Sequence, residues 1–420
     1  MSTGLPSYDE AASLVAQRAA ELLTRAPGIE RIALSEAAGR ILGQAIRADR
    51  DMPSFPRSTR DGFACRAAEA SSHAPLAVAG SIRAGDPPAG PLPPGAAWEI
   101  MTGAAVPPGA DAVAMLEHVE TIEGRIRLTD GRTLEPGENV VPVGAEARGG
   151  DEVVPRGTRL APAHVAAAAF CGFPTLGVFA KTRVAILSTG DELVAVDQTP
   201  APGQIRNSNA PMLAALVSQA GGEPWILPAV RDDNEDIECA LRTALQADRV
   251  QADLVLITGG VSAGKFDLVE PALARLGAKV HFTGVRIQPG KPLVYCEIPR
   301  SGDAPAAQVF GLPGNPISSA VTFLLFAVPI LAALSGSTEA RPQFGLARLT
   351  RHVAGKSGLT RFVPSVCSFH PLSGKPLEVA PGNWQGSGDL AAFSRANCLM
   401  AIPEGVEQLT TGELVRILPF

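Results

Sequence analysis

Strand-like and helix-like segments alternate between residues 181 and 335, and this alternation most restricts how the chain can fold. Apolar runs suited to strands lie at residues 183–187, 224–230 and 254–257. Helical patterns occupy residues 209–219, 234–247 and 268–276. Further strands are expected near Val280 and Leu293, and a last helix is expected after Asn315. Strands that alternate with helices predict βαβ units and a mostly parallel sheet.

The segments on either side of this region have other patterns. Ser7 and Glu10 form a capping-box sequence ahead of an amphipathic helix. Residues 51–137 contain short β-rich runs broken by Gly and Pro, which predicts a small all-β module. Residues 153–170 return to helical character, and short strands resume after Ser337 as a second small β domain.

Length and charge narrow the possible functions. A chain of 420 residues is too long for one compact core. Its net charge of −6, without a basic block, argues against nucleic acid as a partner. The apolar run 320–334 is shorter than a bilayer crossing and predicts a buried helix, so no membrane association is expected. Scattered cysteines without CxxC spacing favour reduced thiols and a cytoplasmic location.

The glycine-rich loop Thr258-Gly259-Gly260-Val261-Ser262 follows the strand predicted at residues 254–257. Ligands bind at the carboxyl edge of open α/β sheets, and glycines let backbone N–H groups approach an anion closely. Lys265 adds a cation and Asp267 a carboxylate to the same loop. An ordinary tight strand-to-helix turn remains the alternative interpretation.

Acidic side chains follow three of the predicted strands. Glu192, Asp232 and Asp267 are expected to converge at one sheet edge, because right-handed parallel connections bring such strand ends together. Mg²⁺ is commonly held by a few carboxylates together with substrate phosphates, so these three residues are candidate metal ligands. For Asp191 and Asp233, helix capping is the favoured alternative.

Two proline-containing turns complete the candidate site. Asn315 is expected to cap the apolar helix, with Pro316 in its first turn, so that free N–H groups point towards the sheet edge. The turn at residues 289–292 carries Lys291, and Arg286 lies just upstream.

Several strings in register resemble the molybdopterin molybdenumtransferase (MoeA) family, to which the E domain of gephyrin also belongs. The matching strings are Arg60-Asp61-Gly62-Phe63-Ala64, Ile100-Met101-Thr102-Gly103-Ala104, Pro136-Gly137-Glu138-Asn139-Val140, Ser188-Thr189-Gly190-Asp191-Glu192-Leu193, Gly259-Gly260-Val261-Ser262, Pro289-Gly290-Lys291-Pro292, Leu312-Pro313-Gly314-Asn315-Pro316 and Gly386-Ser387-Gly388. Together they span nearly the whole chain.

The resemblance implies a multidomain α/β plus β fold. A discontinuous helical N-terminal domain (1–50 and 141–180) would carry an inserted β domain (51–140). A central α/β domain with a mostly parallel sheet (181–335), similar to molybdopterin adenylyltransferase, would be followed by a β-barrel-like C-terminal domain (336–420). An elongated homodimer is implied, with each site lying between the α/β domain of one subunit and the inserted module of the other.

The implied activity is Mg²⁺-dependent insertion of molybdate into adenylylated molybdopterin with release of AMP. Molybdopterin adenylyltransferase is a candidate partner. Two alternatives stay open, a molybdopterin-nucleotide-processing paralogue and a scaffold or binding module without efficient metal insertion.

The resemblance also implies roles for individual positions. The expected catalytic residues are Asp61, Thr102, Glu192, Asp232 and Asp267. The expected substrate-binding residues are Gly259, Gly260, Ser262, Lys265, Arg286, Lys291, Pro313, Asn315, Pro316 and Ser387.

This chain departs from the family pattern where molybdate is expected to bind. Gly284 and Gln288 occupy positions where the family often has lysine, and Pro364 replaces an arginine. We expect Arg286, Lys265, Lys291 and Arg361 to supply the missing charge. A family acid is displaced to Glu146.

Overall fold

The computed structural model describes residues 4–25, 27–246, 251–261, 268–300, 305–368 and 377–420. Its helices are α1 (Tyr8–Leu23), α2 (Ala67–Ser71), α3 (Pro162–Phe170), α4 (Asn209–Gln219), α5 (Asn234–Gln246), α6 (Val269–Arg275), α7 (Pro316–Thr322), α8 (Val328–Leu334) and α9 (Leu390–Phe393). Short 3₁₀ turns lie at Leu34–Glu36 and Leu116–His118, and a π-helical turn at Phe323–Ala327 joins α7 to α8.

The strands fall into three segments of the chain. The first segment contains β1 (Ile29–Ala33), β2 (Ile46–Arg47), β3 (Arg57–Ser58), β4 (Gly62–Cys65), β5 (Leu76–Ile82), β6 (Ala96–Ile100), β7 (Ala112–Met115), β8 (Val119–Ile122), β9 (Arg125–Leu128), β10 (Val140–Val141), β11 (Glu152–Val154) and β12 (Thr175–Phe179). The second contains β13 (Arg183–Ser188), β14 (Leu193–Val194), β15 (Ile205–Arg206), β16 (Glu223–Ile226), β17 (Leu254–Thr258), β18 (Lys279–Thr283), β19 (Ile287–Gln288), β20 (Val294–Ile298) and β21 (Ala307–Leu312). The third contains β22 (Gly345–Leu349), β23 (Val353–Ala354), β24 (Thr360–Ser368), β25 (Glu378–Pro381), β26 (Cys398–Ile402), β27 (Gln408–Leu409) and β28 (Leu414–Pro419).

The central sheet has the strand order β16-β13-β17-β21-β20-β18. Strands β16, β13, β17 and β21 run parallel, and β20 and β18 are antiparallel to their neighbours. Every residue of β17 and β21 is buried, as expected for strands covered on both faces. The predicted mostly parallel α/β sheet is therefore confirmed.

Strand β21 was missed by the sequence analysis, although it lies at the centre of the sheet. Gln308 and Gly311 interrupt its apolar run, so the pattern lacked the continuous hydrophobicity of a buried strand. Gln308 is fully buried because its side-chain oxygen accepts a hydrogen bond of 2.7 Å from the Tyr295 hydroxyl. A satisfied polar side chain can thus occupy a core strand.

Two further predictions were partly wrong. Residues 153–161 are not helical, since β11 pairs with β2 there and α3 begins only at Pro162, which fixes the backbone of the first helical turn. The strand predicted over residues 224–230 ends at Ile226, and only an isolated bridge between Thr189 and Val230 continues the pairing.

Two smaller β modules flank the central sheet. One is a six-stranded sheet of order β7-β4-β6-β5-β9-β8. The other has the order β19-β24-β25-β22-β28-β26, and an additional β24–β26 pairing closes it into a barrel. This architecture confirms the predicted multidomain fold with a C-terminal β-barrel-like domain. Strands β1 and β2 pair with β12 and β11, which links residues 29–47 to residues 152–179. The precise domain boundaries stay a prediction.

The helical segment from Pro316 to Leu334 forms the centre of the largest hydrophobic cluster. Within the described residues it is long and apolar enough to cross a membrane, but 83% of its most apolar window is buried inside the protein. Helix α1 packs against it, with Tyr8 making edge contacts to both Phe326 and Phe362. The capping box predicted for α1 is confirmed, since Glu10 N–H donates to Ser7 Oγ and Ser7 N–H donates to Glu10 Oε2.

Replacing Leu331 with alanine should lower the free energy of unfolding by about 2–5 kcal/mol, because this fully buried α8 side chain would leave a cavity. Leu414, 57% exposed on β28, is the matched control, and Leu414→Ala should change stability by less than about 0.5 kcal/mol. Urea unfolding followed by circular dichroism measures both. Equal effects of the two substitutions would contradict the burial of Leu331 in the core.

Candidate active-site cleft

A cleft of about 1090 Å³ lies at the carboxyl edge of the central sheet. Loops that follow β13, β17 and β21 form one wall, and residues of the C-terminal module form the other. The edge is where the connections of a parallel sheet place ligand-binding loops. Nine of the predicted site residues line this cleft, namely Glu192, Asp232, Gly259, Gly260, Lys291, Pro313, Asn315, Pro316 and Ser387.

The acidic end of the cleft lies beyond β13. Glu192 and Asp232 both line it. They are brought together because Gly190 N–H donates to Val230 O at 3.2 Å and Asp232 N–H donates to Asp191 Oδ1 at 3.4 Å. Asp267 lies outside the described residues, so the structure places two of the three predicted metal ligands.

The alternative role predicted for Asp233 is confirmed. Its carboxylate accepts hydrogen bonds from the backbone N–H groups of Glu235 at 2.8 Å and Asp236 at 3.2 Å, at the start of α5. These contacts satisfy donors that have no partner within the helix. Asp233 thus caps α5, and the carboxylate that lines the cleft belongs to the preceding residue, Asp232.

Gly259 and Gly260 follow β17 with φ values of +101° and +64°. A Cβ atom at Gly259 would lie 2.3 Å from Thr189 O, so no other residue fits between the two loops without displacing the backbone. The neighbouring Thr189 Oγ1 is buried and has no hydrogen-bond partner among the described residues. Ser262 and Lys265, predicted to extend this loop's anion site, lie outside the described residues.

A hydrogen-bond network around the buried Thr258 hydroxyl joins the loop after β17 to the loop after β21. The Thr258 hydroxyl donates to Pro313 O at 3.2 Å and accepts from the Asn209 side-chain amide at 2.8 Å. The same amide nitrogen donates to Gly314 O at 2.7 Å. Asn209 therefore ties the two cleft-facing loops together through its side-chain nitrogen, while its side-chain oxygen is buried without a partner among the described residues.

The start of α7 differs from the sequence prediction. Asn315 occupies the N-cap position but makes no capping bond, and its side-chain nitrogen donates to Ser387 Oγ at 2.9 Å. Ile317 N–H donates to Ser387 O at 3.0 Å, so this donor at the helix start is not free for substrate. Pro316 sits in the first helical turn as predicted. Ser387 thus docks the C-terminal module onto the helix that borders the cleft.

Cations line the part of the cleft nearest the C-terminal module. Lys291 and Arg361, two of the predicted replacements for the missing family charges, line the cleft together with Lys356, and a fourth cation, Arg206, lies on β15 opposite Val194. Strand β19 pairs with β24 so that Gln288 lies opposite Arg361, which holds the Lys291 turn beside the barrel. Among the described residues, these four cations face only two lining carboxylates, an excess of positive charge that favours anionic ligands.

Arg286 is not among the residues that line the cleft. Its guanidinium donates to Leu5 O at 2.9 Å and pairs with Glu404 at 3.3 Å. The structure therefore gives Arg286 a role in holding the N-terminal segment against the barrel, and its assignment to substrate stays a prediction. The displaced acid Glu146 likewise has a local partner, Arg57.

Asp61 and Thr102 lie away from the cleft, exposed on the first β module. Thr102 donates to Asp61 Oδ1 through its backbone N–H at 2.7 Å and its hydroxyl at 2.8 Å. These two hydrogen bonds favour the ionised carboxyl and hold the pKa of Asp61 below its ordinary value. Within one chain the structure does not bring this pair together with Glu192 and Asp232.

Carboxylate pairs of this kind suit Mg²⁺, which typically takes one or two carboxylates and completes its shell with phosphate and water oxygens. Glu192 and Asp232 fit that requirement at the acidic end of the cleft. No group of three or more His, Cys, Asp or Glu side chains that could hold a metal occurs in the described ranges. The described residues alone thus offer two carboxylates, a set that phosphate oxygens would complete.

Comparison with known proteins places the chain in a family. Three family models match, described as the MoeA N-terminal region (domains I and II) over residues 6–172, a probable molybdopterin-binding domain over residues 185–333, and the MoeA C-terminal region (domain IV) over residues 346–420. A molybdopterin molybdenumtransferase from Nostoc sp. is 34% identical over 99% of this chain and 94% of its own length. The chain belongs to the molybdopterin molybdenumtransferase family. It is thus a transferase of molybdenum cofactor biosynthesis.

Other members of the family agree in sequence and in structure. A molybdopterin molybdenumtransferase from Bacillus subtilis is 34% identical over 93% of this chain and 89% of its own length. The crystal structure of a molybdopterin biosynthesis MoeA protein from Pyrococcus horikoshii superposes with a TM-score of 0.80 at 28% identity, covering 99% of this chain and 100% of the other. The family resemblance predicted from the sequence strings is confirmed.

Several cleft residues were missed by the sequence analysis. They are Arg206, Asn209, Lys356 and Trp384. Asn209 was interpreted only as the first residue of a helix. Its hydrogen bonds to two distant loops have no sequence pattern that would predict them. Lys356 and Trp384 belong to the C-terminal module, whose position beside the cleft depends on tertiary contacts.

Replacing Gly259 with alanine should destabilise the transferase by more than about 1 kcal/mol, because φ is positive and the new methyl group would overlap Thr189 O. Gly314 is the matched control, since a Cβ there meets its nearest neighbour, Gly259 Cα, at 3.7 Å, an ordinary contact. Thermal melting of both variants measures the difference. If Gly259→Ala had the same melting temperature as Gly314→Ala and the wild type, the close approach of Gly259 to Thr189 O would not contribute to stability.

Proposed function

We propose that this enzyme inserts molybdenum from molybdate into adenylylated molybdopterin in a Mg²⁺-dependent reaction that releases AMP. The observation that carries the proposal is the charge distribution of the cleft, with Glu192 and Asp232 at one end and the cations of the C-terminal module towards the other. A substrate with both a metal-binding phosphate group and a reaction site for an oxyanion matches that distribution.

The phosphates are assigned to the loop after β17. The backbone N–H groups of glycines at a strand end can approach an anion closely, and Gly259 and Gly260 line the cleft at this position. Thr189, buried beside them with an unpartnered hydroxyl, supplies a further donor. Ser262 and Lys265 are proposed to complete this phosphate site.

Glu192 and Asp232 would hold Mg²⁺, with Asp267 as the proposed third acid. When bound there, the metal would neutralise charge on the phosphate oxygens of the leaving adenylate. The chain's own contribution is to fix these carboxylates, and Asp191 does so by accepting the Asp232 N–H. The loop contact between Gly190 and Val230 then keeps the two acidic segments adjacent.

Molybdate is assigned to the cations nearest the barrel. Lys291, Lys356 and Arg361 line the cleft from two different modules, so a dianion between them would be contacted from both sides. Lys291 and Lys356 have no ion-pair partner in the part of the chain that the structure describes. These residues replace the charges that the family often carries at the positions of Gly284, Gln288 and Pro364.

We further propose a homodimer in which Asp61 and Thr102 complete the partner subunit's cleft. Their exposure and their separation from the cleft of their own chain support this arrangement. Thr102 donates two hydrogen bonds to the Asp61 carboxylate, which lower its pKa and fix its orientation. Molybdopterin adenylyltransferase is proposed as the supplier of the substrate, in the cytoplasm.

Substituting Asp232 with asparagine should raise the Mg²⁺ concentration needed for activity and lower kcat/KM at least about tenfold, since even residues that only orient metal ligands typically cost 10–100-fold. The measurement is molybdate-dependent AMP release from adenylylated molybdopterin, titrated with Mg²⁺. Asp233→Asn is the matched control, because Asp233 caps α5 instead of lining the cleft.

The same assay distinguishes the proposed reaction from its alternatives. If the wild-type enzyme released AMP equally well without molybdate, a nucleotide-processing activity would replace metal insertion. If Asp232→Asn and Asp233→Asn required the same Mg²⁺ concentration for AMP release, the assignment of Asp232 as a Mg²⁺ ligand would be wrong.

Co-expression of an Asp61→Asn chain with an Asp232→Asn chain should restore activity in the mixed dimer. One of its two clefts would receive intact residues from both chains, giving about half of the wild-type rate. Each chain carries a different affinity tag, and tandem purification isolates the mixed dimer for the AMP-release assay. An inactive mixed dimer, or failure to recover both tags together, would contradict a shared site.

A further inference from the structure

A side compartment of about 470 Å³ lies in the C-terminal module next to the main cleft. Val353, Val363 and Pro381 form an apolar part of its wall. Ligand pockets of this size typically combine an apolar lining with a few polar groups that fix orientation. The remaining wall provides those groups.

The polar part of the wall consists of a guanidinium and two side-chain amides. They belong to Arg361, Asn383 and Gln385, with the indole of Trp384 between them. Arg361, Trp384 and Gln385 also line the main cleft, so the two spaces share a boundary. A ligand that spans both spaces would pass these three side chains.

The wall that carries Trp384 is held by backbone contacts. Gly382 N–H donates to Pro364 O at 2.9 Å, and a Cβ at Gly382 would lie 2.6 Å from that oxygen. On the other side of Trp384, Gln385 N–H donates to Asp389 Oδ2 at 3.1 Å. The indole also packs against the main hydrophobic core. The compartment is thus formed without a ligand.

We propose that this side compartment binds the bicyclic pterin ring of the substrate, with Trp384 as its stacking surface. The inference rests on the proposed function, because it identifies where one part of the proposed substrate lies. A pterin ring has flat apolar faces and hydrogen-bonding groups around its edge. An indole and proline wall suits the faces, and the Gln385 amide and the Asn383 side-chain nitrogen suit the edge, whereas the Asn383 oxygen accepts from Arg351 at 2.7 Å.

The order of groups in adenylylated molybdopterin agrees with this placement. The pterin is followed by the dithiolene, then the phosphates, then adenosine. In the protein, Arg361 lies at the boundary between the two spaces. Gly259 lines the main cleft at the end of β17, and Glu192 lines it at the end of the neighbouring strand β13. A pterin in the side compartment would hold the dithiolene beside the cations assigned to molybdate.

Isothermal titration of the full-length protein with 6-hydroxymethylpterin, which has no phosphate, tests the inference. Trp384→Ala should weaken pterin binding by about 10- to 100-fold, the effect of removing an aromatic stacking surface. Trp384→Phe should recover most of the affinity. Binding of AMP, measured in parallel, should be unchanged in both variants because its site lies in the main cleft.

Tryptophan fluorescence gives a second measurement. Pterin should quench the wild-type emission, and this quenching should disappear in Trp384→Phe but persist in the matched control Trp225→Phe, whose indole lies on β16. In the AMP-release assay, Trp384→Ala should raise the KM for adenylylated molybdopterin more than it lowers kcat.

Several outcomes would overturn the inference. They are an absence of measurable pterin binding by the wild type, equal pterin affinity of Trp384→Ala and the wild type, or a parallel loss of AMP affinity, which would indicate a structural role. Failure of the proposed function is distinguishable. Pterin binding that depends on Trp384, together with AMP release that ignores molybdate, would retain the compartment and remove the metal-insertion reaction.

Discussion

The hydrogen bonds around Thr258 are the interaction on which the cleft depends. One buried hydroxyl connects the end of β17 to Pro313 in the loop after β21, and the Asn209 amide bonds to both loops. If a partner were removed, a buried polar atom would be left unsatisfied, which typically costs about 1–3 kcal/mol. The close approach of Gly259 to Thr189 adds the loop after β13 to the same rigid unit. The sheet edge is thus organised before any ligand arrives.

Each chemical role in the cleft is assigned to a different part of this scaffold. The carboxylates extend from the β13 side, the glycine N–H groups from β17, and most of the cations from the side of the barrel. Separating opposite charges in this way prevents them from neutralising one another as ion pairs. Lys291 and Lys356 therefore remain available to an anion. Arg286, by contrast, forms an ion pair with Glu404.

The local elements could be predicted from sequence because their causes are local. The Ser7 and Glu10 capping box and the Leu254–Thr258 strand each depend on a few adjacent residues. Strand β21 was missed because burial of Gln308 depends on Tyr295, which lies on another strand. Asn315 was expected to cap its helix, but the carbonyl of Ser387, far away in the sequence, accepts the Ile317 N–H at the helix start instead. Lys356 and Trp384 were missed for the same reason. They line the cleft because the C-terminal module packs beside it, and no local sequence pattern predicts that packing.

The two-residue strand β19 has a mechanical consequence. It lies in the chain between strands of the central sheet, yet it pairs with β24 of the barrel through Ile287 and Gln288. The Lys291 turn leads directly from this ladder back into β20. Any swing of the barrel away from the sheet must either pull on that turn or break the short ladder. The width of the cleft and the position of Lys291 are therefore coupled, and β19 adds a backbone link to the Ser387 contacts that hold the barrel against the start of α7.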